Sequence, residues 1–349
     1  MLGFTEHWRI LAAAAVCCAA TCPSMSSQRP AEDDEKGDAV PVMRTDVRPD
    51  PEGSPTTVHV GVRIIDLTQV NDVDQTITAD FGVLLKWTDP RLAGLAGDEV
   101  PLDDIWSPGI VFVNSGRTFP SRPREVGVGP GGEVTYVQRY YATLASYHNL
   151  KDFPFDEQTF VVSLSSLEWA EDDLRLVVDE QVTGRRERLN ISDWTIKEVT
   201  AAITREHGAA FDVFYSRYDL KIVAHRLWAY YIWKIILPLC LIVTMSWLVF
   251  WIDPAHFGPQ IGLSATSMLT LIAFIFATTN MVPELGYFTR LDLFIGGATI
   301  LVFLAMLQGV ATSWMVAQEK QPLAARTDRW CRVVYPMIFV ALALFVFLH

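Results

Sequence analysis

The sequence predicts an antiparallel β-sandwich of about ten strands followed by a bundle of four membrane-spanning helices. The chain of 349 residues is 50% hydrophobic, and its mean hydropathy of +0.23 is high for a soluble protein. Apolar residues are concentrated after residue 227, whereas the first part of the chain contains short β-branched runs broken by turns. A protein that is half soluble and half embedded in a membrane is therefore predicted.

Residues 1–27 have the features of a secretory signal peptide. The apolar run at 10–20 follows a basic residue, ends in small residues and is too short to span a membrane. We expect cleavage between Ala20 and Ser27. Residues 28–56 are rich in Pro, Asp and Glu with little apolar periodicity, which predicts a flexible arm.

Residues 57–225 carry the pattern of the sandwich. Runs such as VHVGVRIIDL, VTYVQRYYATL and FVVSLSSL alternate apolar and polar residues, and Asp, Gly and Pro separate them. This alternation is typical of strands with one buried face. The stretch is long enough to enclose one hydrophobic core.

Residues 226–349 carry four apolar segments, each long enough to supply the roughly 20 residues that cross a bilayer. Pro238 is expected to kink the first helix. Lys320, Arg326 and Arg329 lie between the third and fourth segments, so the positive-inside rule places that loop in the cytoplasm. The sandwich then lies on the periplasmic or extracellular side of the plasma (inner) membrane. The predicted helices are 227–252, 259–282, 291–316 and 330–348.

The N-terminal part of the chain is strongly acidic. Residues 1–225 contain 21 Lys and Arg against 35 Asp and Glu, a net charge of −14. Such a surface repels nucleic acid and concentrates cations and protons. A search of the spans for a nucleophile elbow, a His-rich metal spacing or paired carboxylates finds none. The sequence therefore predicts neither a nucleic-acid-binding protein nor an enzyme.

The second apolar segment carries a graded polar stripe. As a helix, one face is small and hydroxylic at one end, apolar in the middle and amide-bearing at the other end. Several copies around a water-filled axis would use such a face to line a pore. The alternative is a buried helix whose Ser267, Thr270 and Thr278 hydroxyls bond to their own helix carbonyls. The predicted pore-lining residues are Gly262, Thr266, Leu269, Ala273, Phe276 and Asn280.

Several short motifs occur in order along the chain. They are WTDPRL at 87–92, WSP at 106–108 followed by Asn114, and FPFDEQ at 153–158, which is the most specific. From about residue 58 to its end, the chain resembles the pentameric ligand-gated ion channels, the Cys-loop receptor superfamily. Further features that fit in order and spacing are Arg226, Pro238 and VPELGY at 282–287.

The resemblance implies a homopentameric channel in which agonist binding to the outer domain opens a pore lined by the second helix. Tilting of the sandwiches would press on the segment after the pore helix and widen a ring at Leu269, or at Ala273 and Phe276. An apolar ring of this kind blocks ions by dewetting. The coupling residues that the resemblance implies are Asp72, Phe155, Asp156, Arg226, Pro283 and Tyr287, with Arg226 paired to Asp156 or Asp72.

Two departures from the family pattern point to a prokaryotic member. The positions of the family's bridging cysteines fall at Ser146 and Phe160, so this loop is not closed by a disulfide. The linker between the third and fourth segments has only about a dozen residues, which leaves no room for an intracellular domain.

An amine-binding aromatic box is not expected. Relatives that bind amines hold the cation against ring faces, but the corresponding positions here are Gly82, Val113 and Leu167. Protons, a divalent cation or another small molecule are the better candidate agonists. Aromatic residues do occur late in the sandwich, although Tyr215 fits a core position as well. The candidate ligand residues are Trp169, Phe211, Phe214, Tyr215 and Tyr218.

No tightly bound cofactor is predicted. The acidic patch of Glu171, Asp172 and Asp173 is a candidate for Ca²⁺ binding or proton titration if it folds together. The alternative is a solvated loop.

Ion selectivity rests on the inner mouth of the pore helix and on long-range charge. Cation-selective relatives carry a Glu there and anion-selective ones a Pro-Ala-Arg, whereas Gly258, Pro259 and Gln260 match neither. Because the outer domain is acidic, we expect cation selectivity. The alternatives are an anion-selective channel of the same family and a membrane-anchored sensor or scaffold without conduction. The expected partners are further copies of the chain, membrane lipids, permeating small ions and a small-molecule agonist.

Overall fold

The computed structural model describes residues 47–121, 124–187, 189, 191, 193–209, 212–253, 256–279 and 285–348. The predicted signal peptide, most of the predicted arm, Phe211, Asn280 and Pro283 lie outside these residues. Within them, twelve strands form two sheets, and four helices follow.

The strands follow the predicted alternation of buried and exposed residues. In β7, for example, Val134, Tyr136, Gln138, Ala142 and Leu144 are buried, while the residues of opposite parity face outward or are half-buried. The strands are β1 Thr56–Asn71, β2 Thr76–Thr88, β3 Glu99–Pro101, β4 Ile110–Phe112, β5 Ser115–Pro120, β6 Glu125–Val128, β7 Glu133–Ala145, β8 Glu157–Ser166, β9 Leu174–Val178, β10 Gly184–Arg185, β11 Trp194–Gly208 and β12 Val213–Arg226.

The two sheets enclose one apolar core. The larger sheet has the order β10-β1-β2-β7-β6-β3, with β5 paired to β7 and β9 paired to β1, and the smaller has the order β11-β12-β8-β4. Most pairs are antiparallel as predicted, but β9 and β10 both run parallel to β1. The core is built from the inward-facing residues of both sheets, such as Phe81, Phe160 and Leu220.

The first motif, at 87–92, builds a turn. The Asp89 carboxylate accepts a hydrogen bond from the backbone N–H of Arg91 and is paired with the Arg91 guanidinium at 2.7 Å, which caps a 3₁₀ helix at Pro90–Leu95. Gly132 approaches this turn with a φ of +81°, and a Cβ there would lie 2.0 Å from the Asp89 carbonyl oxygen. Only glycine fits this approach.

Asn114 of the second motif links the two sheets. Its amide nitrogen donates to the carbonyl oxygens of Ala145 and Val161, and its side-chain oxygen accepts the N–H of Ser163. Because Ala145 ends β7 and the other two residues belong to β8, one side chain links the two sheets.

Part of the predicted arm is folded. Arg48 is buried and donates hydrogen bonds to the carbonyl oxygens of Ser54, Pro51 and Gly53. It also pairs with Asp173 at 3.4 Å. The prediction of a flexible arm through residue 56 is therefore wrong for residues 47–55, since the buried guanidinium organises this loop.

Four helices are long and apolar enough to cross a membrane. The first contains a π-type turn at Ile232–Ile236 directly before Pro238, which cannot donate a backbone hydrogen bond. The third begins with a capping box in which the Thr289 and Asp292 side chains and backbone N–H groups bond reciprocally. The helices are Ala229–Trp251, Phe257–Thr278, Arg290–Ala317 and Gln321–Leu348.

The fourth helix corrects a prediction. It begins at Gln321 instead of residue 330, so the connection from the third helix is residues 318–320 and not about a dozen residues. Hydropathy marks only the apolar part of a helix, whereas the polar segment QPLAARTDR is rich in Ala and Arg, which are strong helix formers.

Candidate functional site

The structure places a buried ion-pair network where the sandwich meets the helices. Arg226 ends β12, two residues before the first helix begins. Its Nε and Nη2 donate to the two Asp156 carboxylate oxygens at 2.7 and 3.1 Å. Its Nη1 lies 2.8 Å from Asp72 Oδ2. The sequence left open which of the two carboxylates pairs with Arg226, and the structure shows that both do.

Aromatic rings enclose the guanidinium. The Arg226 Cζ atom lies 4.2 Å from the centroid of the Trp194 ring and 4.8 Å from that of Phe153. Burial alone would lower the pKa of Arg226, but the hydrogen bonds to Asp156 and Asp72 raise it above its usual range. The residue is therefore a fixed positive charge at this junction.

Two polar side chains extend the network. Gln158 donates to Asp156 Oδ2 at 2.6 Å, and the Nδ1 atom of His148 lies 3.1 Å from Asp72 Oδ1. Burial would raise the pKa of Asp72, but the hydrogen bonds from His148 and Arg226 outweigh it and hold that pKa below its ordinary value. Sequence reasoning missed Trp194, which strand register places opposite Arg226, and His148, which a loop brings to Asp72.

The loop at 150–156 rests directly on the helices. Leu150 and Phe153 pack with Ile235 of the first helix and Leu291 of the third in one buried cluster. The Leu150 N–H donates a hydrogen bond to Tyr287 Oη at 3.0 Å, so the loop also contacts the segment that follows the second helix. The loop is therefore in direct contact with the start of the third helix and with the segment that follows the second.

Phe155 lies outside the buried cluster that contains Phe153. It is partly exposed and lies 6.0 Å from the Trp228 ring and 5.6 Å from the Phe347 ring, centroid to centroid. Phe347 is near the end of the fourth helix. The loop therefore touches the first, third and fourth helices, while Pro283, the other predicted contact, lies outside the described residues.

The second helix exposes its predicted stripe. Leu269 and Phe276 are 69% and 75% exposed in the single subunit, and Gly262, Thr266 and Ala273 are also exposed. The opposite face is buried against the other helices through Gln260, Ser264, Ser267, Leu271 and Thr278. Asn280, the last predicted member of the stripe, lies outside the described residues.

The hydroxyl groups of this helix do bond to their own backbone. Thr266 donates to the Gly262 carbonyl and Thr270 to that of Thr266, both at 2.8 Å. The same pattern holds on the buried face. Back-bonding therefore occurs on both faces and does not separate a pore-lining helix from a buried one.

A polar cluster joins the inner end of the second helix to its neighbours. Gln260 and Gln308 donate from the second and third helices towards the two carboxylate oxygens of Asp328, at 3.5 and 3.4 Å. Gln260 and Asp328 are fully buried. An acidic residue within a membrane span usually indicates a functional or structural cluster. This one was missed because the predicted fourth helix started at residue 330, which placed Asp328 in a loop.

The candidate ligand residues do not come together as one site. Tyr218 is fully buried with its hydroxyl 3.0 Å from Thr183 Oγ1, and Trp169 packs on Trp106 at 5.6 Å, so both belong to the core of the sandwich. Tyr215 is half-buried, and Phe211 lies outside the described residues. Phe214 is the exposed member of the set.

The exposed ring of Phe214 already has a cation on its face. Arg205 Cζ lies 4.9 Å from the ring centroid, and the Arg205 guanidinium is itself paired with Glu171. Asp173 is paired with Arg48. Among the described residues there is no group of three His, Cys, Asp or Glu side chains arranged to hold a metal ion. Two of the three carboxylates proposed for Ca²⁺ therefore already have arginine partners.

Two family models match the chain. The neurotransmitter-gated ion-channel ligand binding domain matches residues 42–225, and the neurotransmitter-gated ion-channel transmembrane region matches residues 235–326. The first match alone covers more than half of the chain and includes Asp72 and Asp156, the second includes the exposed stripe, and Arg226 lies directly after the end of the first match.

Characterised proteins with similar sequences are channels and receptor subunits. The chain is 26% identical over 292 residues to a proton-gated ion channel of Gloeobacter violaceus, covering 82% of this chain and 81% of that protein. It is 25% identical over 303 residues to the human gamma-aminobutyric acid receptor subunit rho-3, covering 82% of this chain and 64% of that subunit. It is 28% identical over 278 residues to the Gallus gallus subunit beta-4, covering 75% and 56%.

Proposed function

The chain belongs to the neurotransmitter-gated ion-channel family, and we propose on that premise that five copies of it surround a cation-conducting pore lined by the second helix. It is a ligand-gated ion channel and not an enzyme. It is also a multi-pass membrane protein whose N-terminal domain is extracellular. The homopentamer, the agonist and the selected ion are the proposed parts.

One observation carries the proposed pore. The second helix is uncharged from Phe257 to Thr278, buries one face in its own subunit and leaves the stripe of Gly262, Thr266 and Leu269 uncovered. An apolar ring at Leu269 between a narrow hydroxylic end and the second apolar position, Phe276, is suited to stopping ions by dewetting.

The proposed agonist is a proton or a small ligand other than an amine. A free aromatic face is needed to hold an amine by cation attraction, and Arg205 already occupies one face of the Phe214 ring. The relative in Gloeobacter violaceus is a proton-gated channel, which supports protons as the first agonist to try. Agonist binding would act on the pore through Arg226 and the loop at 150–156.

The proposed cation selectivity comes from the outer domain. The side chain of Gln260 is buried against Asp328, and Gly258 has no side chain, so neither supplies a charge at the inner mouth. The net charge of −14 over residues 1–225 attracts cations towards the outer mouth. Physiological salt weakens this attraction beyond a Debye length of about 8 Å, so the selectivity is expected to be stronger at low ionic strength.

Liposomes that contain the purified full chain test these proposals. Ion flux is measured across a range of pH with and without Ca²⁺, and native mass spectrometry gives the subunit number. Flux through a pentamer is expected; a non-conducting protein would favour the membrane-anchored sensor. In asymmetric NaCl, a reversal potential near that of Na⁺ is expected, and one near that of Cl⁻ would overturn cation selectivity.

Cysteine labelling separates the pore face from the bundle face. On a cysteine-free background, single cysteines at Thr266 and Leu269 should react with a water-soluble thiol reagent, whereas those at Ser267 and Leu271 should not. Equal labelling of the two pairs would show that this helix does not line water.

A further inference from the structure

His148 is a buried titratable group next to the coupling network. Its side chain is 0% exposed, and its backbone N–H donates to Gln75 Oε1 at 2.6 Å. Its ring packs edge-on against Phe160 at a centroid distance of 5.2 Å. Five histidines belong to the described residues, namely His59, His148, His207, His225 and His256, and the other four are exposed.

The two ring nitrogens have different surroundings. Nδ1 faces Asp72 Oδ1 at 3.1 Å, and because a carboxylate only accepts hydrogen bonds, the neutral ring carries its proton on Nδ1. Nε2 is buried and has no hydrogen-bond partner among the described residues. A second proton must therefore add to Nε2, where this arrangement offers its N–H no acceptor.

The missing acceptor at Nε2 disfavours protonation of His148, whereas the net charge of the buried network favours it. Arg226 supplies one fixed positive charge and faces two carboxylates, Asp72 and Asp156, so the buried network has a net charge of −1 while His148 is neutral. A proton on His148 would bring the network to neutrality. The titratable groups that face the network from the packed elements are Asp72 from the β1–β2 turn, Asp156 from the segment before β8, Arg226 from β12 and Tyr231 from the first helix. The exposed carboxylate of Asp193, directly before β11, acts on Tyr231 from outside the buried network. The neighbouring β8 side chains, Gln158 and Phe160, do not titrate.

These opposing effects make proton binding depend on conformation. A second arrangement could bring water or another acceptor to Nε2 without changing the charges of the network. The protonated Nε2–H would then be paired, so this second arrangement binds the proton more tightly than the one described here. By linkage, acid then favours that second arrangement. Asp72 joins His148 to Arg226, and Arg226 packs on Phe153, so the change reaches the helices.

We propose that His148 is a proton-binding site that sets the pH dependence of gating by sharing Asp72 with Arg226. The ligand is a proton taken from water at Nε2. The proposal rests on the proposed channel function and adds the group that senses the proton.

The test compares two histidine-to-asparagine variants in liposomes that contain the full chain. His148→Asn retains an amide nitrogen near the position of Nδ1 for Asp72 but cannot take up the proton. His225→Asn is the matched control, because His225 lies exposed on β12 and contacts Glu157 at 3.1 Å, outside the network. Ion flux is measured between about pH 5 and 8, both in the native background and with Leu269→Ser, which is expected to raise the basal flux.

The native chain and His225→Asn should show a flux change of roughly 5–150-fold across this range, the usual size of coupling between two sites. His148→Asn should lose it. A native chain without pH dependence, or a His148→Asn variant that keeps it, would overturn the proposal. If His148→Asn does not assemble, His148→Gln provides the same comparison. Absence of flux in every background would instead refute the channel function.

Discussion

Arg226 and Asp156 form a two-pronged ion pair in which both side chains are almost completely buried. The pair joins the last residue of the sandwich to the FPFDEQ motif, which rests on the helices. A buried pair of this kind adds less stability than its contact distances suggest, but removal of one partner leaves a charge without compensation. The pair fixes the position of the last strand relative to the loop that contacts the helices.

Asp156→Asn should destabilise the junction without changing its shape. The substitution removes one of the two carboxylates of Arg226, and the lost charged hydrogen bonds are worth about 1.5–3 kcal/mol. We expect a lower midpoint of thermal unfolding and an altered agonist or pH midpoint for flux. Glu157→Gln is the control, because this neighbouring carboxylate is exposed and pairs with Lys197. Equal effects of the two substitutions would contradict a special role for the buried pair.

Leu269→Ser should favour the conducting state. Leu269 is exposed on the predicted pore face, and exposing or burying one leucine side chain is worth about 1.5–3 kcal/mol. Replacing a ring of leucines with hydroxyls should lower the cost of wetting and raise the agonist-free flux by more than roughly tenfold, which corresponds to 1.4 kcal/mol. Leu241→Ser is the control, since Leu241 of the first helix is 62% exposed. If both variants leak equally, Leu269 does not form the gate.

Sequence periodicity predicted the faces of the elements better than their ends. The exposed stripe of Thr266, Leu269 and Ala273 follows from helical spacing alone. The same reasoning explains why Tyr218 is not a ligand residue. It faces the same side of β12 as the core residues Leu220 and Ile222, so the strand alternation alone predicts that it is buried.

Features that depend on residues distant in sequence were harder to predict. The FPFDEQ motif and Arg226 were recognised, but the structure was needed to show that Asp72 and Asp156 bind the same guanidinium. Asp328 was missed because its polar helical segment has no hydropathy signal. Its contacts with Gln260 and Gln308 come from two other helices, and no local pattern encodes them.

Asp328→Ala should loosen the inner end of the pore helix. It removes the acceptor of the buried Gln260 amide and of the half-buried Gln308 amide, and a buried amide left unsatisfied costs about 1–3 kcal/mol. Asp328→Asn keeps one acceptor oxygen and should recover at least half of the lost thermal stability and pentamer yield. Thr327→Val is the control, because the Thr327 hydroxyl bonds to the Leu323 carbonyl of its own helix and not to another helix that the structure describes. Equal losses in the alanine and asparagine variants would contradict the hydrogen-bonding account.

Asp219 makes the outer domain sensitive to strong acid. Its carboxylate accepts hydrogen bonds from Ser163 Oγ at 2.6 Å and Thr204 Oγ1 at 2.7 Å, and it pairs with Arg217. Burial alone would raise the pKa of Asp219, but these bonds outweigh it and hold the pKa below its ordinary value of 3.8. A depressed pKa in the folded state gives stability that is complete above about pH 4 and is lost as the pH falls through the folded pKa.

Asp219→Asn should therefore lower the thermal midpoint of the detergent-solubilised protein by an amount that is constant at neutral pH and shrinks below about pH 4, where the native carboxylate becomes protonated. Asp212→Asn should show little effect at any pH, because the Asp212 side chain is 94% exposed. A difference between the native chain and Asp219→Asn that persists unchanged in strong acid would show that the hydrogen bonds do not depend on the charge of Asp219, and the linkage argument for this buried carboxylate would then fail.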